Sequence, residues 1–225
     1  HSFPTRRSSD LGSLLTGLGL GSFFALSTFL ALTVPMKIGM VLTGLAAGWF
    51  IITLFTFLIH LPIAWWATIP GTIVGAVGLC FLLTPMRMLD FVLYISVALA
   101  IVFLAWGIGA RLIGLIIPGG ILAGIGPGIY MAWSNPSDSN ALTLTGIMLA
   151  YFALGWGLIT LVSRLALQKL IWWPLIPGGV LAMTGWGLYI GGNPGNALSF
   201  IGNTGSLGLI LLGIYLLLWR QGLKK

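Results

Sequence analysis

Residues 91–110 read FVLYISVALAIVFLAWGIGA, twenty consecutive positions without a charged side chain. A helix needs about 20 mostly apolar residues to cross the hydrocarbon of a bilayer. A helix of that length on a soluble core would show a polar face. Here only Tyr94, Ser96 and Trp106 carry a polar side-chain atom. Working outward, the same reading applies to 12–34, 38–59, 61–84, 112–133, 141–163, 170–191 and 204–219. A transmembrane β-barrel would need strands of about ten residues that alternate in polarity. These runs are continuously apolar and too long. The expected fold is an all-α integral membrane protein of about eight transmembrane helices, arranged as repeated helical hairpins.

Composition agrees. Of 225 residues, 58% are apolar and 6% charged, and mean hydropathy is +1.09. A soluble domain carries about 25% charged residues. The formal charge of +7 comes from basic residues scattered singly between apolar runs. That pattern sets orientation in a membrane and offers no basic stripe to nucleic acid. The expected partner is the lipid bilayer, not nucleic acid. Cys80 is the only cysteine, so no intrachain disulfide can form.

The opening string HSFPTRRSSDL, residues 1–11, reads as a translated sequencing-library adapter and is set aside from fold reasoning. The remainder holds 8 basic and 2 acidic residues. Lys37 and Arg87 lie in the connections between spans 1–2 and 3–4, on the side that also holds Asp90 and Asp138. Arg111, Arg164, Lys169, Arg220, Lys224 and Lys225 lie on the other side. Basic residues near helix ends mark the cytoplasmic side, so the C-terminus is expected inside a bacterial inner membrane. The connections carry turn chemistry: Pro35-Met36-Lys37, TPMRMLD at 84–90, SNPSDSN at 134–140 and GGNPGN at 191–196. Asp90 is placed to N-cap the fourth helix.

An internal repeat runs through the chain. Trp65-Trp66-Ala67-Thr68-Ile69-Pro70-Gly71 is echoed by Trp172-Trp173-Pro174-Leu175-Ile176-Pro177-Gly178-Gly179. Ile117-Pro118-Gly119-Gly120 forms a third copy without the tryptophans. The prolines are 48 and 59 residues apart. The expected units are hairpins at 12–60, 61–111, 112–164 and 165–225, the last with a basic tail. Each holds two spans, so the repeat is parallel, unlike the inverted repeats of many transporters. Trp65, Trp66, Trp172 and Trp173 are expected to anchor the bilayer interface. Glycine pairs such as Gly17/Gly21, Gly44/Gly48 and Gly120/Gly124/Gly128 suit close packing between helices in lipid.

The WW-x-x-IPGG start, the Gly-spaced apolar run and the terminal GIYLLLWR (Gly213 to Arg220) resemble the transmembrane region of LiaI/LiaF-type cell-envelope stress proteins. They resemble uncharacterised bacterial membrane proteins with WW-x-x-IPGG repeats more closely still. The hairpin with Asn-Pro at its outer turn is similar to HdeD-type acid-resistance membrane proteins. The resemblance covers residues 61–220 at its widest. It implies a bacterial inner-membrane protein with a role in envelope stress, and it carries no catalytic residues across.

Residues able to do chemistry are few. No Asp or Glu falls near a predicted midplane, where a proton- or sodium-coupled transporter usually keeps one. His60 and Cys80 alone cannot supply the three or four ligands of a metal site. Ser22, Ser27, Ser96 and Ser163 have no general base at suitable spacing. No enzyme activity, catalytic residue, metal or cofactor is therefore expected. One binding hypothesis remains: matching Pro/Gly breaks can line a site, and Pro70, Pro118, Pro127 and Pro177 are the candidate positions. Two functions follow. One is a non-enzymatic membrane module that assembles with membrane-protein partners or with itself. The other is a channel or permease for a small neutral or apolar solute.

Overall fold

A computed structural model describes residues 3–27, 32–59, 65–83, 87–134, 140–191, 199, 202–203 and 205–206, with side chains from Asp10 onward. Among these residues the fold is all helical. It comprises α1 (Phe3–Leu26), α2 (Val34–Leu58), α3 (Thr68–Leu83), α4 (Met88–Gly109), α5 (Ile113–Trp133), α6 (Ala141–Leu167) and α7 (Leu175–Gly191). A 3₁₀ turn at Trp65–Ala67 leads directly into α3. Five segments are long and apolar enough to cross a membrane: α2, the 3₁₀ turn with α3, α4, α5 and α6. The apolar parts of α1 and α7 are shorter, Asp10–Leu26 and Leu175–Ile190.

Of the eight expected spans, the described residues hold seven helices, five of them of crossing length. The eighth run, 204–219, lies almost wholly outside the described residues. Helix α7 starts at Leu175 instead of 170, because the chain turns through Trp173 and Pro174, and Pro174 cannot continue a helix from upstream. Helix α1 starts at Phe3, within the segment set aside.

Local chemistry sets the ends. Thr33 is extended before α2, and Pro35 occupies the first turn, where a missing N–H costs nothing. Asn140 caps α6, its side chain accepting from the Leu142 N–H at 3.4 Å. Asp90 is not the N-cap of α4: Arg87 holds that place. The Asp90 carboxylate instead reaches back to accept the Arg87 backbone N–H at 3.1 Å, with the Arg87 guanidinium 3.7 Å away. Helix α4 ends in a tight turn. Arg111 adopts a left-handed φ of 53°, and the Leu112 N–H donates to the Gly107 carbonyl at 2.9 Å, a Schellman closure. Gln168 closes α6 with φ 52°.

The helices pack in series. Each forms its extended interfaces with its chain neighbours, which run antiparallel to it. Glycine makes most of these contacts. A Cβ on Gly17 would come within 2.6 Å of the Gly48 nitrogen, and one on Gly21 within 2.7 Å of the Met40 carbonyl. Gly39 meets Gly78 between α2 and α3, Gly124 meets Gly155 between α5 and α6, and Gly146 meets Gly185 between α6 and α7. In lipid, apolar burial no longer drives helices together, so backbone proximity and van der Waals fit must do so. The α3–α4 interface is the smallest of the consecutive ones. No glycine of either helix makes a close approach across it among the described residues.

These contacts repeat. Gly17, Gly39, Gly48, Gly71 and Gly78 correspond to Gly124, Gly146, Gly155, Gly178 and Gly185, each 107 residues further on. Their neighbours shift by the same amount. Gly71 lies over Trp49 and the Ala46 carbonyl, and Gly178 lies over Trp156 and the Ala153 carbonyl. Gly39 meets Gly78 and Leu82, and Gly146 meets Gly185 and Tyr189. The packing of α1–α3 therefore recurs in α5–α7. Each helix and its equivalent are four steps apart in an antiparallel series, an even number, so the two units share one orientation.

Candidate functional site

The tryptophan motif builds a small cluster at one end of each unit. Trp66 meets Trp49 edge-to-face with ring centroids 5.8 Å apart, and Trp173 meets Trp156 in the same way at 5.8 Å. In each unit the glycine after the Pro lies against the Cβ of the inner tryptophan. In the first unit Trp65 also stacks on Trp106 of α4, with centroids 5.3 Å apart and planes 10° from parallel. Trp66, Trp172 and Trp173 are exposed and Trp65 half-buried, as suits indoles anchoring helix ends at an interface. The sequence reading did not single out Trp49 and Trp156. Their signal was a spacing of 17 residues to Trp66 and to Trp173.

Below each inner tryptophan is a pair of hydroxyls. Thr56 donates to the Thr53 carbonyl at 2.9 Å, and Ser163 donates to the Thr160 carbonyl at 2.9 Å. In the second unit Trp156 Nε1 and Thr160 Oγ1 are buried without a hydrogen-bond partner among the described residues. Elsewhere, hydroxyls bond back to their own helix: Thr72 to Thr68, Ser96 to Val92 and Thr184 to Val180. Ser96 and Ser163 thus direct their protons at backbone carbonyls, and Ser27 does the same to Phe24.

The four candidate prolines fall on three helices. Pro70 and Pro177 sit in the first turns of α3 and α7. Pro118 does not share that position: it is inside α5, one turn deeper, and Pro127 lies deeper still. The reason is local. The left-handed turn at Arg111 lets α5 begin at Ile113, ahead of the Pro-Gly pair. Helices α3, α5 and α7 share no extended interface, since α4 and α6 separate them. The structure therefore does not bring the prolines together. Two clefts are lined by other residues. One of about 350 Å³ lies between the end of α1 and the start of α2, with Lys37 at its edge and Ser22, Ala25 and Val41 in its wall. The other, about 260 Å³, lies between α6 and α7, with Tyr151, Trp186 and Tyr189 over a floor of Gly146 and Gly185.

Among the described residues no three His, Cys, Asp or Glu side chains group as metal ligands would. Cys80 is buried, and His60 lies outside the described residues. Compared with family models, curated proteins and solved structures, the chain matches none. The LiaI/LiaF-type and HdeD-type resemblances therefore rest on the motifs that suggested them.

Proposed function

We propose that the protein is a non-enzymatic, multi-pass module of the bacterial inner membrane that works by assembling with other membrane proteins. On this reading its C-terminus is cytoplasmic, 204–219 is an eighth span, and the spans derive from repeated hairpins. The observation that carries it is the use of glycine. Helices α2, α5 and α6 present glycines that let a neighbouring backbone approach closely. That is the chemistry of helix association. The role in envelope stress comes from the sequence resemblance alone. Affinity capture from native membranes tests assembly, and growth of a deletion strain under cell-wall-active agents tests the stress role. Specific capture of membrane proteins with a selective growth defect is expected. Capture of lipid alone with normal growth would overturn the proposal.

A second reading has one observation in its favour. The aromatic cleft between α6 and α7 has the size and apolar lining for a small neutral solute. Solute release from proteoliposomes, blocked by Gly185→Leu, would support a permease. Release from wild-type proteoliposomes no faster than from empty vesicles would remove it.

A further inference from the structure

Helix α5 has two packed faces. One receives α6, and the other receives α4. The α4 seat is built on Gly119 and Gly126: a Cβ on Gly119 would come within 2.8 Å of Leu104, and one on Gly126 would overlap the Ser96 side chain. Between these two glycines lies Ala123. Helix α1 is the counterpart of α5, and its residues at the same 107-residue displacement are Gly12, Thr16 and Gly19. Their small size is kept, but the seat is open. Among the described residues, a Cβ on Gly12 or Gly19 would meet nothing within 4 Å. The flanking Leu15 and Phe23 are 66% and 68% exposed. Thr16 ties its hydroxyl to the Gly12 carbonyl at 2.8 Å, which leaves a smooth, neutral strip.

We propose that this face of α1 is an interface between copies of the chain, and that its occupant is the 204–219 segment of a second copy. The inference deepens the assembly reading and rests on it, but not on any role in stress. Three observations select the occupant. The filled seat on α5 holds an antiparallel helix, so the open seat on α1 takes one that is antiparallel too. Two copies with the same membrane orientation cannot then pair α1 with α1. Next, 204–219 stands 107 residues after 97–112, which covers the second half of α4 and the turn that follows, and Leu211 stands 107 after the Leu104 that fills the seat on α5. Last, among the described residues α1 and α7 are the two ends of the packed series and share no extended interface, so the proposal takes the occupant from a neighbouring molecule. The contact is head-to-tail. Such contacts close into rings or extend as open chains.

The test uses full-length chains in native membranes with Cys80→Ala as background. Chains carrying Gly12→Cys, the counterpart of the Gly119 that receives Leu104, and chains carrying Leu211→Cys are oxidised separately and after co-expression. A disulfide-linked pair only on co-expression is the expected result. Dimers of the Gly12→Cys chain alone would overturn the proposal in favour of a parallel α1 pair. A double variant that crosslinks only within itself would overturn it in favour of closure inside one chain. No crosslink at all would leave the face to lipid and overturn it as well. A second measurement is independent of the added cysteines. Gly19→Leu should shift the particle mass in nanodiscs to a single copy, with helicity and unfolding temperature unchanged. An unchanged mass would overturn the proposal. Membrane-protein partners could still be captured in that event, so the broader assembly reading would fail or stand separately.

Discussion

At the scale of single residues, three positions give sharp expectations. Gln168 closes α6 in the left-handed region, which costs a side-chain-bearing residue about 1 kcal/mol. Gln168→Gly should stabilise the protein by about that amount in thermal unfolding. Thr160 buries a hydroxyl with no partner among the described residues, whereas Thr56, in an aligned segment of the first unit, has one. Thr160→Val should therefore be neutral or stabilising, and Thr56→Val should cost about 1 kcal/mol, measured against denaturant. Equal losses at both sites would show that the Thr160 hydroxyl has a partner in the membrane. Legibility at this scale was mixed. The tryptophan pairs could be read as a repeated motif because each stands beside a Pro-Gly step, and the structure gives both the same edge-to-face contact. Asp90 was misplaced by three positions, standing at N3 instead of the N-cap. Met88 and Leu89 are apolar and look like the tail of the preceding run, yet they already form the first turn of α4. A cap is defined by backbone angles, and composition cannot show where those change.

At the scale of elements, the glycines divide into those that meet a backbone and those that do not. Gly155 and Gly157 are two positions apart on α6. A Cβ on Gly155 would reach 3.0 Å from the Gly124 Cα, while one on Gly157 would meet nothing within 4 Å. Gly155→Ala should destabilise by about 1–3 kcal/mol through overpacking. Gly157→Ala should gain up to about 1 kcal/mol from lost unfolded-state freedom. Unfolding in mixed micelles compares the two. If both variants lose stability alike, α5 and α6 do not meet at Gly155. The four-residue glycine spacings were visible in the sequence, but the choice of partner was not. Gly119 and Gly126 turn to α4, whereas Gly120, Gly124 and Gly128 turn to α6. A string as dense in glycine as Gly124-Ile125-Gly126-Pro127-Gly128 supplies small residues to both sides, so spacing alone does not assign them.

At the scale of the whole molecule, the repeat and the order of interfaces set the mechanics. The sequence spacings of 48 and 59 residues between prolines pointed to hairpins, and their total is the 107-residue displacement at which the packing recurs. Short motifs alone could not show the longer unit, because most of its matching positions are single glycines whose equivalence appears only through their neighbours. The longer unit also predicts where the molecule comes apart. Interfaces α1–α2, α2–α3, α5–α6 and α6–α7 are locked by glycine, and α4–α5 is locked by Gly107, Gly119 and Gly126. Only α3–α4 relies on larger side chains, chiefly Phe81 on Phe91 at 5.6 Å and Trp65 on Trp106 at 5.3 Å. Bulky contacts hold helices further apart than glycine does, and dispersion falls steeply with separation. Co-expressed fragments 1–86 and 87–225 should therefore separate in milder detergent than fragments 1–136 and 137–225, whose cut leaves the glycine-packed α5–α6 pair to hold the halves together. Co-purification across a detergent series reads the order directly. If the first pair holds together as long as the second, the stacked aromatics bind as firmly as the glycine seams, and the two units move as one body.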